Sequence, residues 1–224
     1  MELSVFDLSK HLGVVPNTIE RWIRQGKLPV SQKGAKYRFD TKELEKWASK
    51  HNIRLNFSDK DAIQKDIKSV IPLSAAVQNG GVFFDIQGTD VNSVLKSAIG
   101  KITNIPDDFK TDLLDRLIER EKALSTGIGN GIAIPHPREQ LGYLTEPLVS
   151  ICFLENPVDY KALDNQPVSV LFFILCPELK MHLHLLSALS FCLRDNQFTN
   201  FLKSRPDPIA LIEKIEILQK ANPI

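Results

Sequence analysis

Arg120-Glu121-Lys122-Ala123-Leu124-Ser125-Thr126-Gly127-Ile128-Gly129-Asn130-Gly131-Ile132-Ala133-Ile134-Pro135-His136 is the stretch on which the reading of this chain turns. Three glycines at alternate positions allow positive φ and a close backbone approach to a ligand. The backbone of Ser125, Thr126, Gly127, Gly129, Asn130 and Gly131 is expected to offer an anion-binding concavity of free N–H groups. Ile132-Ala133-Ile134 reads as a short strand that delivers His136 at its end, stiffened by Pro135 and Pro137. An imidazole has an ordinary pKa of about 6.5 and is a competent nucleophile near neutrality. It can attack a phosphoryl group in line where cations or N–H donors stabilise the charge. Arg120 is the nearest guanidinium suited to phosphate oxygens. No Gly-Lys-Ser/Thr follows the glycines, so this is not a Walker P-loop. Taken alone, the same residues also fit a structural turn and a histidine without chemistry.

Working outward, Val82–Ile86, Val149–Phe153 and Val168–Leu175 are apolar, β-branched or aromatic runs expected as strands. Val91, Val94, Leu95, Ala98, Ile99 and Ile102 follow a helical period after a Thr89/Asp90 cap. Leu113, Leu114, Leu117 and Ile118 mark a second helix, with Asp107-Asp108 at its N-terminus. Leu183, Leu186, Leu189 and Ser190 predict a helix after Pro177, and a last amphipathic helix spans about Pro208 to Ala221. Strands interspersed with helices argue for an α/β layered domain.

The front of the chain has a different pattern. Ser4 and Asp7 resemble a capping box, with Val5, Leu8 and Leu12 on one helical face and Gly13 as the stop. Pro16 opens a second helix whose inward stripe is expected to be Ile19, Trp22 and Ile23, ending at Gly26. Extended runs near Val30–Gln32 and Lys36–Phe39 flank a Gly34 turn. Asp40 or Thr41 then caps a third helix that buries Leu44, Trp47 and Ala48. Between the two patterns, 51–70 is polar with alternating Asp and Lys, and is expected as a linker, helical where Ala62, Ile63 and Ile67 fall. The expected organisation is therefore 1–50, a linker at 51–70, and 71–224.

Composition narrows the classes. The 224 residues are 43% hydrophobic and 25% charged, ordinary for one or two globular domains. No run of 18 apolar residues reads as a membrane span, and the first residues carry no secretory signal. Cys152, Cys176 and Cys192 are odd in number and sit in apolar contexts, so buried thiols in the cytoplasm are expected, not disulfides or a zinc site. No cofactor or metal is expected. Net charge is +1, but residues 1–50 hold ten Lys/Arg against six Asp/Glu, a local +4 that leaves −3 for the rest. A basic front on a mildly acidic body suggests a polyanion-binding module.

The run Ser125–His136 resembles the active-site signature of EIIA domains of the fructose/mannitol class in the bacterial sugar phosphotransferase system (PTS), nearest to the nitrogen-regulatory branch. Asp164-Asn165-Gln166-Pro167-Val168 and Met181-His182-Leu183-His184-Leu185 match further blocks in order. The resemblance spans about residue 71 to the C-terminus. It implies a mixed β-sheet flanked by helices. It also implies that His136 accepts a phosphoryl group from the carrier HPr, itself charged by enzyme I from phosphoenolpyruvate. His182 then corresponds to the family's second active-site histidine, and Arg120 to the arginine that helps hold the phosphate. One departure stands out: Pro137 and Arg138 follow the acceptor, where the family often has Gly.

Residues 8–29, with Tyr37-Arg38-Phe39, resemble the excisionase/MerR-type helix-turn-helix with a hairpin wing. That resemblance implies base and phosphate contacts from Asn17, Thr18, Arg21 and Arg24, and backbone phosphate contacts from Lys33, Lys36 and Arg38. A homodimer reading two half-sites would bind more tightly than one module. No stretch reads as an EIIB or EIIC domain, so a regulatory output coupled to DNA is expected in preference to sugar uptake. The competing reading is a DNA-binding regulator whose EIIA-like domain no longer transfers phosphate and serves protein interaction or sensing.

Overall fold

The computed structural model describes residues 2–33, 36–50, 55, 71–141 and 143–221. They fall into two compact units, one within Met1–Lys68 and Glu139–Glu146, the other within Ser69–Arg138 and Pro147–Ile224. The expected linker and its helix lie outside the described residues, Leu55 apart, as does the Gly34 turn.

In the first unit, β1 (Glu2–Leu3) leads into α1 (Val5–Leu12). The Ser4 hydroxyl accepts from the Asp7 N–H while the Asp7 carboxylate accepts from the Ser4 N–H, so the expected capping box is present. Gly13, at φ 63, ends the helix in the left-handed region. Pro16 begins α2 (Pro16–Arg24), and the chain returns through β2 (Ser31–Lys33) and β3 (Lys36–Asp40). These strands form an antiparallel sheet in the order β1-β3-β2. The Asp40 carboxylate accepts from the N–H groups of Lys42 and Glu43, capping α3 (Thr41–Lys50). Leu8, Leu12, Ile19, Trp22, Leu28, Phe39, Leu44 and Ala48 are buried. The Trp22 and Trp47 rings lie 6.4 Å apart; Trp22 is buried as core, whereas Trp47, expected on the buried stripe of α3, is only half-buried. The strand β1 was not expected from sequence.

The second unit opens with α4 (Leu73–Gly80), followed by β4 (Val82–Ile86), α5 (Val91–Lys101) and α6 (Asp107–Ala123). Next come β5 (Gly127–Gly129), β6 (Ile132–Ala133), β7 (Leu148–Val158) and β8 (Val168–Leu175), then α7 (Leu179–Leu193), α8 (Asn196–Lys203) and α9 (Pro208–Ala221). Among the described residues the sheet order is β4-β7-β8-β6-β5. The β4–β7 and β6–β8 pairs are parallel, β7–β8 and β5–β6 antiparallel. The sheet is thus mixed and covered by helices, as the resemblance implied.

Period-two alternation assigns the two sheet faces. Val149, Ile151 and Phe153 of β7, with Val170, Phe172 and Ile174 of β8, join α4, α7, α8 and α9 in one core. Cys152, Leu171 and Phe173 point the other way and are equally buried. The three cysteines are free thiols and buried, and burial pushes Cys192 up to about 11 and Cys176 up to about 12. The α4–β7 approach is unusually close. A Cβ on Gly80 would lie 2.2 Å from the Val149 carbonyl oxygen, and the Ser150 hydroxyl donates to the Gly80 carbonyl at 2.8 Å. Among the described residues no helix is long and apolar enough to cross a membrane.

Candidate functional site

The glycine stretch folds as a β-hairpin. Gly127 pairs with Ala133 and Gly129 with Ile132 across β5 and β6, and Asn130 and Gly131 take positive φ at its turn. Three of the six N–H groups expected to form an anion cradle donate within the protein itself. Thr126 N–H donates to Glu121, Gly127 N–H to the Ser125 hydroxyl at 3.0 Å, and Asn130 N–H to Asp164 at 2.8 Å. Asp164 also accepts from the Gln166 N–H, which binds its loop to the hairpin tip. Gly127 is required by space as well: a Cβ there would meet the Ala162 Cβ at 2.8 Å. Ser125, Thr126, Gly127, Gly129, Asn130 and Gly131 therefore build a tightly braced hairpin beside the histidine.

That brace governs where His136 points. Ile134 N–H donates to the Thr126 carbonyl at 3.1 Å, and Ile174 N–H to the Pro135 carbonyl at 3.2 Å, so the chain stays aligned with the sheet up to the residue before His136. The ring then folds back until Nδ1 lies 2.8 Å from the Ile134 carbonyl oxygen. A carbonyl only accepts, so Nδ1 carries the proton and Nε2 bears the free lone pair. Pro135 and Pro137, both buried, flank it.

His182, on the first turns of α7, brings its ring centroid 5.1 Å from that of His136 at an interplanar angle of 43°. Burial holds both imidazoles below their ordinary value. For His136 the bond to Ile134 opposes this shift, Arg120 adds to it and Glu121 opposes it; for His182 the neighbouring His136 adds to it. Arg120, near the end of α6, donates to the Leu124 carbonyl at 2.7 Å and acts electrostatically on His136. The structure thus brings His136, His182 and Arg120 into one electrostatic neighbourhood. Burial also holds the His184 imidazole below its ordinary value, with the Ile71 backbone opposing the shift. Arg138 is exposed. Leu124, Ile128, Leu163, Leu179 and Leu183 are exposed apolar side chains on the elements that carry the site. The helix expected from Leu183, Leu186, Leu189 and Ser190 is α7, and its buried stripe is Leu185, Ala188, Leu189 and Cys192, spaced i, i+3, i+4, i+7.

In the first unit, Asn17 and Arg24 are exposed on α2, Arg21 and Arg38 are partly exposed, and Lys36 is exposed on β3. The Lys33 side chain lies outside the described residues. Thr18 corrects the expected contact set: it is only 4% exposed. Thr18 and Trp22, four residues apart, share the inward face with Ile19, while Ile23 is only half-buried. The missed residue is Glu121, whose charge among Glu119, Arg120 and Lys122 reads as a solvated cluster in sequence.

A mixed sheet that ends a short strand on one histidine and faces it with a second from a helix defines an EIIA-type phosphotransferase domain. The chain belongs to the family "Phosphoenolpyruvate-dependent sugar phosphotransferase system, EIIA 2", which matches residues 76–217, and a helix-turn-helix domain matches residues 2–52. It is 33% identical over 156 residues to a nitrogen regulatory protein of Pseudomonas aeruginosa, covering 68% of this chain and 100% of that one. A nitrogen regulatory protein of Escherichia coli is 42% identical over 94 residues, 41% of this chain and 57% of that one. The crystal structure of the nitrogen regulatory protein IIA-Ntr from Neisseria meningitidis shares the fold, with a TM-score of 0.52 and 23% identity over 65% of this chain and 96% of that chain.

Proposed function

We propose that this protein is a phosphohistidine carrier of the PTS whose phosphorylation state is read by a DNA-binding domain. The organisation underlying this is a helix-turn-helix module in 1–50, a linker at 51–70 and the EIIA domain in 71–224. The observation that carries the reading is the His136 ring: Nδ1 is committed to Ile134, leaving Nε2 as the nucleophile, with His182 beside it and Arg120 acting on it. The Nε2 lone pair attacks the phosphorus of a phosphorylated HPr-type carrier. The N–P bond in the donor breaks, and its electron pair stays with the donor imidazole. Arg120 and His182 stabilise the phosphoryl oxygens. The exposed Leu124, Ile128, Leu163, Leu179 and Leu183 supply an apolar surface on which a protein donor can seat. Family membership and the nitrogen regulatory relatives support a regulatory carrier in the cytoplasm, and no cofactor or metal is invoked.

On the DNA side, Asn17, Arg21 and Arg24 of α2 face bases and phosphates, and Lys33, Lys36 and Arg38 of the wing face the phosphate backbone, with a homodimer spanning two half-sites. A phosphoryl group adds up to about two negative charges at His136, enough to alter what the chain binds.

The test is incubation with phosphoenolpyruvate, enzyme I and HPr, followed by intact mass. One acid-labile phosphoryl group on wild type and none on His136→Ala is expected. An adduct that survives His136→Ala, or none on wild type, overturns the carrier. If the adduct is absent and DNA binding ignores His136→Asp, the EIIA domain is a non-transferring interaction module. In gel shifts Arg24→Ala should weaken binding and lower the salt slope by about 1.

A further inference from the structure

Glu121 stands beside Arg120 near the end of α6 and makes no contact with the phosphoryl group in the proposed transfer. Both of its carboxylate oxygens are engaged by one residue: Oε1 accepts from the Thr126 N–H at 2.7 Å and Oε2 from the Thr126 hydroxyl at 2.6 Å. Thr126 is buried, so these charge-assisted bonds sit away from competing water. From there the bonding continues without a gap. The Thr126 carbonyl accepts from the Ile134 N–H at 3.1 Å, and the Ile134 carbonyl lies 2.8 Å from His136 Nδ1.

We propose that Glu121 is the positioning residue of the phosphoacceptor: through Thr126 and Ile134 it fixes the carbonyl that selects the His136 tautomer and aims Nε2 outward. The inference rests on the reading of His136 as the phosphoacceptor. An imidazole carries its proton on either nitrogen, and the partner of one nitrogen decides what the other can do. A second group that orients a reactive imidazole commonly governs its activity. Here the partner is a backbone carbonyl, whose direction follows from the backbone torsions of Ile134, a residue tied through its N–H to the Thr126 carbonyl. The two Glu121 bonds hold Thr126 from the helix side, at its N–H and at its hydroxyl. Asp164 restrains the opposite end of the same hairpin through the Asn130 N–H, so the strand pair cannot shift along its length.

A clasp that only stabilised the hairpin would leave the ring proton where it is. The experiment therefore follows the His136 tautomer by nitrogen NMR in the full chain, alongside the rate of phosphorylation by HPr. Wild type should show Nδ1 protonated. In Glu121→Ala the tautomer preference should be lost and the rate should fall about tenfold or more. Glu121→Gln should restore both, because its carbonyl oxygen accepts the Thr126 N–H and its amide donates to the Thr126 hydroxyl, which can rotate. A folded Glu121→Ala protein with the wild-type tautomer overturns the inference, as does a Glu121→Gln protein as slow as Glu121→Ala. Should Glu121→Ala fail to fold, Thr126→Val removes one of the two bonds, and an unchanged tautomer there overturns the proposal equally. If wild type takes up no phosphoryl group, the carrier reading falls while the tautomer measurement still decides the brace.

Discussion

The role proposed for His136 requires Nε2 to be unprotonated, and burial biases the ring toward that form. With its pKa below the ordinary 6.5, the ring stays neutral further into acid than a free imidazole does. The phosphorylation rate should therefore be flat through neutrality, with its acid limb centred below pH 6.5. A pH–rate profile centred at or above that value would contradict the geometry. His182 is shifted the same way, first by burial and then by the neighbouring His136, whose ring centroid lies 5.1 Å away. The positions of His136 and His182 were readable as motif blocks. The direction of the His136 ring was not, because it depends on the carbonyl of a residue only two positions earlier. Glu121 was hidden for the opposite reason: charged neighbours make any carboxylate look solvated until its partners are seen.

At the scale of elements, glycine has opposite meanings in two helices. Gly80 ends α4 against the β7 backbone, where a methyl group would lie 2.2 Å from the Val149 carbonyl oxygen. Backbone cannot yield as a flexible side chain can. Gly80→Ala should destabilise by about 3 kcal/mol, and denaturant unfolding measures it. Gly100, within α5, has open space where a Cβ would sit. Gly100→Ala should stabilise by about 0.5–1 kcal/mol, since alanine loses less backbone entropy in a helix. Long, strongly patterned elements such as Val168–Leu175 and Pro208–Ala221 stood out in the sequence. The elements missed are short or lack their usual signals. Helix α4 starts after Pro72 with no side-chain cap and carries no charge, and α8 has eight residues. Strand β5 is Gly-Ile-Gly, whose composition argues for a loop; pairing with β6 makes it a strand. Thr18 shows a related error, since a stripe drawn through apolar residues alone omits a threonine that faces inward.

For the whole molecule, the histidines couple stability to pH. His136, His182 and His184 all lie below their ordinary value, so between their folded values and 6.5 the unfolded chain binds more protons than the native one. Stability must then rise with pH across that window and fall on acidification through it. Tm measured on descending from neutrality should drop below pH 6.5, and His136→Gln with His182→Gln should flatten the decline. A Tm unchanged by acid over that range would show that these rings are solvated in solution. The effect is confined to the unit that carries the three residues, which calorimetry can separate from the helix-turn-helix unit if the two melt apart.

The internally satisfied hairpin has a consequence for how cargo is held. The amides of Thr126, Gly127 and Asn130 already have acceptors within the protein, so on the proposed carrier reading an arriving phosphoryl group draws its counter-charges from side chains. Loading and unloading should then leave amide hydrogen exchange at these three positions unchanged, while side-chain signals of Arg120 and His182 move. On that reading the scaffold is a fixed jig: charge passes over it, and nothing in its backbone has to be rebuilt between one transfer and the next.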